Sequence, residues 1–387
     1  MRTKLLLTLL PAGLFACQAP STPPPVEVWP GAVWQQSTPA AQAMNPEPLT
    51  ELHREFQAGG HGYIDEMLVI RNGSVVFDQS YQRDYDTPYQ DKDHFEGPYN
   101  YFNPEYHPYY RRSRLHTLQS VTKSVTSAVF GVAAARGEGP ALDAEIIQFF
   151  DDYTIAHLDD RKRRIQLRHL LTMTAGIDWD ETIPYSDPAN PAVAMEATDN
   201  WVQFVLDRPM AHEPGEVFSY SSGVSQLLSV IFAKATGRAI DEYAQEHLFG
   251  PLGIREYHWK RTPLGLVDTE GGLYLSAHDL ARIGYLYLKD GIWAGQRLLA
   301  EGWVRESTTP HVAVARSNFA YGYQWWLRPY DASDPGKFAY TGLGYGGQRL
   351  FVVPEYDLVA VFMGWNLYEH PVLDPVFALN RVLEAMR

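Results

Sequence analysis

The 387 residues contain one cysteine, Cys17, so no disulfide can form within the chain. Positive charge is scarce: 32 lysines and arginines stand against 46 acids, a formal net charge of −14 that argues against nucleic acid as a partner. Beyond the N-terminus no run is apolar for long enough to cross a bilayer. G-x-S-x-G is missing, which removes the nucleophile elbow of the α/β-hydrolases, and so are H-E-x-x-H and any internal repeat. What remains is 45% hydrophobic and 20% charged, ample for the core of one large domain or of two intimately packed ones.

The opening "MRTKLLLTLLPAGLFAC" places Arg2 and Lys4 before a short apolar run and Ala16 before Cys17, the order of an export signal over residues 1–16. "LFAC" resembles a bacterial lipobox, in which Cys17 becomes the lipidated first residue. A plain cleaved signal with an incidental cysteine is the alternative. Gln18, where an Asp would retain the protein at the inner membrane, points by analogy to the periplasmic side of the outer membrane, or else to a soluble periplasmic protein. Membrane contact is expected only through that anchor. Residues 17–45, including "QAPSTPPPVEVWP", read as a polar, extended tether without a core, followed by one domain over 46–387.

Two β-rich runs flank Asn72-Gly73, a strong hairpin signal, and two more flank the turn from Pro354 to Asp357. Helical periodicity covers 120–136, 164–173, 198–207, 223–236, 240–248, 277–290 and 373–386. The order predicts an α/β (α+β) fold: an antiparallel sheet assembled from both ends of the chain, helices against it, and a helical insertion at about 150–270. The tyrosine- and proline-rich stretch at 81–110 is either an aromatic rim beside a site or a surface loop held by its own rings.

"LHTLQSVTKSVTSAVFGVAAARGEG" carries the chemistry. Val121, Val125, Ala128, Val129 and Val132 form a buried stripe, while Ser120, Lys123, Ser124 and Ser127 share another face. One turn apart, Ser120 and Lys123 can touch. A serine hydroxyl needs a neighbour to accept its proton, and a lysine held neutral by burial and nearby positive charge can serve. The helix N-terminus adds free N–H groups for an oxyanion. By itself S-x-x-K is a weak pattern that a helix cap and a solvated lysine would also produce.

Farther on come Tyr220-Ser221-Ser222 before another helix and the glycine-rich "YTGLGYGGQRLFVVP". Together with "RRIQLRHLLTMTAGIDW", "EHLFGPLGI" and "GGLYLSAHDLARIGYLYLKDGIWAGQRLL", this order resembles the serine beta-lactamase, penicillin-binding protein and esterase superfamily, in its class C-like branch, over most of residues 60–385. The resemblance implies Ser120 as nucleophile, Lys123 as general base and Tyr220 as the proton shuttle to the leaving group. It further implies an oxyanion hole from the Ser120 N–H and a donor near Tyr345 and Gly346, with no metal or organic cofactor. Ser222 stands where the family often has an asparagine that hydrogen-bonds a substrate amide. The third-motif lysine or histidine is absent, leaving Tyr340 or Tyr345. Both departures resemble the esterase and oligoamide hydrolase members, in which a further tyrosine on the insertion assists, here Tyr185. The expected function is an exported serine hydrolase that cleaves a small ester or amide through an acyl-enzyme. The alternatives are a D,D-peptidase or beta-lactamase acting on cell-wall peptides or lactams, and a catalytically silent peptide-binding module. Gly342, Gly344 and Gly347 spell G-x-G-x-x-G but precede a strand, where a dinucleotide site needs a helix. His116 reads either as an alternative base or as a packed or substrate-facing side chain.

Overall fold

A computed structural model describes residues 28–81, 114–366 and 372–387. The export signal, Cys17 and nearly all of the tyrosine-rich stretch lie outside the described residues.

Among the described residues nine strands form the main sheet: β1 (Gln35–Gln36), β2 (Ile64–Arg71), β3 (Ser74–Ser80), β4 (Val312–Ala313), β5 (Ala320–Tyr321), β6 (Trp326–Pro329), β7 (Phe338–Gly344), β8 (Gln348–Val353) and β9 (Leu358–Gly364). Their spatial order is β1-β3-β2-β9-β8-β7-β6-β5-β4, so the two ends of the chain meet at the β2–β9 pair, as the sequence predicts. Asn72 and Gly73 both have positive φ, 49° and 75°, the geometry of a two-residue hairpin turn whose twist matches the strands. Asp357 closes the turn before β9 at φ 46°. Pairing is antiparallel throughout except at β1, which runs parallel to β3.

The five longest helices among the described residues are α1 (Glu47–Gln57), α2 (Val121–Ala135), α3 (Ser222–Thr236), α4 (Ala277–Leu288) and α5 (Pro375–Glu384). Both faces of the sheet are covered, which explains its nearly continuous apolar strands. Met67, Val69, Phe351, Val353, Ala360 and Phe362 face α1 and α5. Leu68, Ile70, Leu350, Val352, Val359 and Val361 face α2 and α4, in a core that continues into the short helices between Ile146 and Leu252.

Two expectations change. Residues 28–45 are not wholly a tether: Trp34 is 4% exposed and donates from Nε1 to the His278 carbonyl, while Trp29 packs edge-on to Tyr285. Buried indole area outweighs the polar character of the segment. Helix α2, in turn, has no solvated face; Thr122, Lys123, Ser124, Thr126 and Ser127 are all buried, because the helix lies between the sheet and the helical layer. Three of its hydroxyls find partners inside, Ser124 donating to the Gln324 carbonyl at 2.8 Å, Thr126 to the Thr269 carbonyl at 3.4 Å, and Thr122 accepting from the Leu273 N–H at 3.1 Å.

His278, on α4, is bracketed by Asp78 (Nε2 to Oδ2, 3.0 Å) and Glu66 (Nδ1 to Oε1, 3.5 Å) on β3 and β2. Hydrogen bonds to these two carboxylates raise its pKa to about 9. The folded value exceeds the unfolded one, so this contribution is complete below about pH 6.5 and is lost as pH rises through about 9. Part of the imidazole faces solvent, so screening should leave roughly 1 kcal/mol. Urea midpoints are expected to fall between pH 6.5 and 9 in the wild type and to be flatter in His278→Gln; parallel curves would refute the linkage.

Candidate active site

Ser120 is the N-cap of α2 and is presented by a short strand, His116–Thr117, paired with Leu275 and Tyr274. Gln119, immediately before it, has φ 48°, a left-handed conformation that costs a non-glycine residue of order 1 kcal/mol. The Thr117 hydroxyl accepts from the Gln119 side-chain amide at 3.1 Å and so helps to hold that turn. The N–H groups of Val121, Thr122 and Lys123 are taken by the carbonyls of Leu118, Gln119 and Ser120, so the donor that the helix start can offer an oxyanion is the Ser120 N–H and not theirs.

Lys123 Nζ lies 3.2 Å from Ser120 Oγ, 3.2 Å from Ser222 Oγ, 2.6 Å from the Glu270 carbonyl and 3.3 Å from Glu270 Oε2, and the residue is 1% exposed. Tyr220 brings its ring centroid to 5.2 Å from the same nitrogen, and its phenol interacts with both Ser120 and Lys123. Trp326 stacks on Tyr220 at 5.4 Å, and the Ser221 hydroxyl caps α3 by accepting from the Val224 N–H. Ser120, Tyr185, Ser222, Glu196, Glu270 and Tyr345 line one small cavity, with the Tyr185 and Tyr345 rings 5.1 Å apart. Gly346 follows in the turn at φ 86°, its carbonyl accepting from the Asn366 N–H at 2.9 Å. Tyr340 instead lines a separate cleft with Tyr287 and Phe338.

The electrostatics differ from the sequence reading at Lys123. Burial alone would lower its proton affinity, but Tyr220, Glu270 and Glu181 outweigh burial and hold the ammonium above the ordinary lysine range. The neighbours are acids where positive charge was expected. Burial pushes the Tyr220 phenol up, Lys123 pulls it down, Glu181 pushes it up again, and the net is a raised value. Burial also raises Glu270, but Lys123 and a hydrogen bond from Glu196 leave it below the usual carboxylate range. Burial and the Glu270 charge hold Glu196 well above that range, so Glu196 is the proton donor of the pair. At neutral pH, Lys123 and Tyr220 therefore both carry their protons, and Glu270 is the counter-ion.

Ser222 also differs from expectation. Its hydroxyl donates to Glu181 Oε1 at 2.8 Å and takes a hydrogen bond from Lys123, so its single proton is already committed within the protein. A free hydroxyl facing a substrate amide is not what the structure shows.

Three acids escaped the sequence reading. Glu270 sits in "DTEGG", where Asp268 Oδ1 accepts from the N–H groups of Glu270 and Gly271 and so builds the turn. Glu196 ends the short apolar helix Pro191–Glu196 yet is 6% exposed. Glu181 lies in a loop between Trp179 and Tyr185 and contacts both. An acid before a double glycine and an acid closing an apolar run were the available signals. His116 is a packed side chain: Nε2 meets Asp65 Oδ2 at 2.5 Å and Nδ1 meets the Thr117 carbonyl at 2.9 Å, so both ring nitrogens are engaged by groups other than the nucleophile. Trp325 is core, and His169 caps a short helix by accepting from the Gln166 N–H.

The sequence profile of the family described as Beta-lactamase matches residues 54–371. The 6-aminohexanoate-dimer hydrolase of Paenarthrobacter ureafaciens is 27% identical over 267 residues, 64% of this chain and 65% of that protein. Monacolin J acid methylbutanoyltransferase of Aspergillus terreus is 28% identical over 116 residues, 30% of this chain and 28% of that one. The chain thus spans less than two thirds of the length of these curated relatives. Among solved structures, EstCE1, a hydrolase with promiscuous acyltransferase activity, superimposes with a TM-score of 0.66 at 15% identity, covering 90% of this chain and 99% of that one, a likeness of fold.

Proposed function

Because the chain belongs to the beta-lactamase family, we propose that it is a serine hydrolase that cleaves small esters or amides through an acyl-enzyme on Ser120. The observation that carries this reading is the 3.2 Å approach of Lys123 Nζ to Ser120 Oγ at the start of a buried helix, with Tyr220 beside both. Ser120 Oγ attacks the carbonyl carbon, and its proton enters the Lys123–Tyr220 pair. The Ser120 N–H and a donor near Tyr345 take the developing oxyanion. The pair then protonates the departing alcohol or amine, and water releases the acid and restores the serine. A protonated pair cannot accept a proton, so kcat/KM should rise toward alkaline pH as one proton leaves. The relatives' names fit one intermediate: an acyl-serine can pass its acyl group to water, as in a hydrolase, or to another acceptor, as in an acyltransferase.

Among the described residues lining the cavity there is no lysine, arginine or histidine, while Glu196 and Glu270 are present and Glu181 adjoins Ser222. Lys123 is already the counter-ion of Glu270 and Glu181 adds a further negative charge, so a carboxylate-bearing substrate such as the cephalosporin nitrocefin would find no unpaired cation among these residues, whereas a neutral or amine-bearing acyl group needs none. We expect kcat/KM for p-nitrophenyl butyrate to exceed that for nitrocefin by tenfold or more, an energy difference of about 1.4 kcal/mol. The reverse order in a side-by-side steady-state assay would replace this reading with the beta-lactamase alternative.

A further inference from the structure

We infer that Glu181 is a positioning residue of this site, the anchor that holds Ser222 against Lys123 and Tyr185 beside the nucleophile; the inference rests on the hydrolase reading above. Glu181 belongs to no helix or strand, yet its two oxygens accept four hydrogen bonds. Oε2 receives the Trp179 indole N–H and the Ser222 backbone N–H, each at 2.7 Å. Oε1 receives the Tyr185 hydroxyl at 2.5 Å and the Ser222 hydroxyl at 2.8 Å. A carboxylate filled in this way is held by charge-assisted bonds from three separate side chains. Trp179 is itself immobilised: a Cβ placed on Gly223 in α3 would lie 2.6 Å from its ring, so the indole packs directly on that helix.

The consequence reaches Lys123 through Ser222. Because the Ser222 proton is given to Glu181, only its lone pairs face Lys123. An ammonium has three N–H directions. One lies toward Glu270, whose carbonyl and carboxylate are both in reach, and one toward Ser222, which leaves the third toward Ser120 and the Tyr220 phenol. Without Glu181 the Ser222 hydroxyl can turn, Tyr185 loses its tether, and the lysine loses one of the partners that orient it.

Glu181 also adds a negative charge to a crowded field. The groups facing the Lys123–Tyr220 pair are Glu181 and Tyr185 from the loop, Glu270 and Asp268 from their turn, Glu196 behind Glu270, and Tyr321 from β5. Glu181 strengthens proton binding at both Lys123 and Tyr220, so removing its charge should let the pair release a proton at lower pH. A structural prop alone would not move that pH.

The test is Glu181→Gln in the full chain, with kcat and KM for p-nitrophenyl butyrate measured from pH 6 to 10. Glutamine keeps the size but presents one acceptor oxygen in place of two. We expect kcat/KM at pH 7 to fall roughly 10- to 100-fold, mainly in kcat, given what a misplaced catalytic group costs, and the alkaline rise to move to lower pH. Ser222→Ala, which keeps the Glu181 charge, should lower kcat/KM about fivefold or more while leaving the rise in place. If Glu181→Gln folds and its rise stays at the wild-type pH, the role of Glu181 is overturned. If it does not fold, Ser222→Ala decides, and an unchanged kcat/KM there overturns the link. A wild type that neither hydrolyses the ester nor labels at Ser120 with a fluorophosphonate sinks the hydrolase reading itself, a separate outcome.

Discussion

Ser120→Ala is expected to abolish fluorophosphonate labelling and to lower ester turnover by at least about 10³-fold, the typical result of removing a nucleophile. Lys123→Ala should be nearly as damaging, and the double mutant no worse than either single one, because the two side chains make one proton-transfer unit. The structure adds a complication: Lys123 is the counter-ion of buried Glu270, so its removal strands a carboxylate in the core. Breaking such a pair costs about 3–5 kcal/mol. Lys123→Ala should therefore also unfold at lower temperature than Ser120→Ala, and adding Glu270→Gln should recover the midpoint without recovering turnover. Recovered turnover in Lys123→Ala/Glu270→Gln would show that Lys123 serves folding alone. Retained labelling of Ser120→Ala would show that another side chain is the nucleophile.

Local signals in the sequence were followed closely by the fold. Asn72-Gly73 supplies the positive φ values that its hairpin needs, and the predicted helix at 277–290 is observed as Ala277–Leu288. The β1 edge was not legible, since two exposed glutamines carry no alternation and are paired only through Trp34 docking beside them. In the site, Ser120 and Lys123 were readable because one helical turn joins them. Glu181, Glu196 and Glu270 come from a loop, a short helix and a turn scattered over 90 residues, with no spacing rule to connect them. Their approach depends on tertiary packing, and so does the charge state of Lys123. Burial of α2 was foreseen for one face only, because its serines and threonines look solvent-facing until their internal partners are known.

The glycines of "YTGLGYGG" have a different use from phosphate binding. Side chains at 340, 342 and 344 of β7 would point toward α2, and at 342 and 344 there is no room for one. A Cβ on Gly342 would lie 2.9 Å from Val121 Cγ1, and one on Gly344 would lie 2.4 Å from the Leu118 carbonyl oxygen. Gly344 has an ordinary φ, so alanine meets no backbone strain there and the collision is the whole effect. The obstacle is main chain, which cannot swing aside as a side chain would. Either the end of β7 or the turn that presents Ser120 must then move, and Tyr345 follows directly in the strand's exit. The proposed oxyanion donor would be displaced while the rest of the cavity stays largely in place. Loss of one such donor costs about 10²–10³ in kcat, so Gly344→Ala should lower kcat by about 10²-fold with little change in KM. The strain should also lower the unfolding midpoint, by the equivalent of about 1–3 kcal/mol for overpacking. Gly31→Ala, at a position with nothing within 4 Å, is the matched control and should change neither quantity. A Gly344→Ala enzyme with wild-type kcat would mean that the β7 exit gives no hydrogen bond to the transition state, and the second donor would have to be sought elsewhere in the cavity.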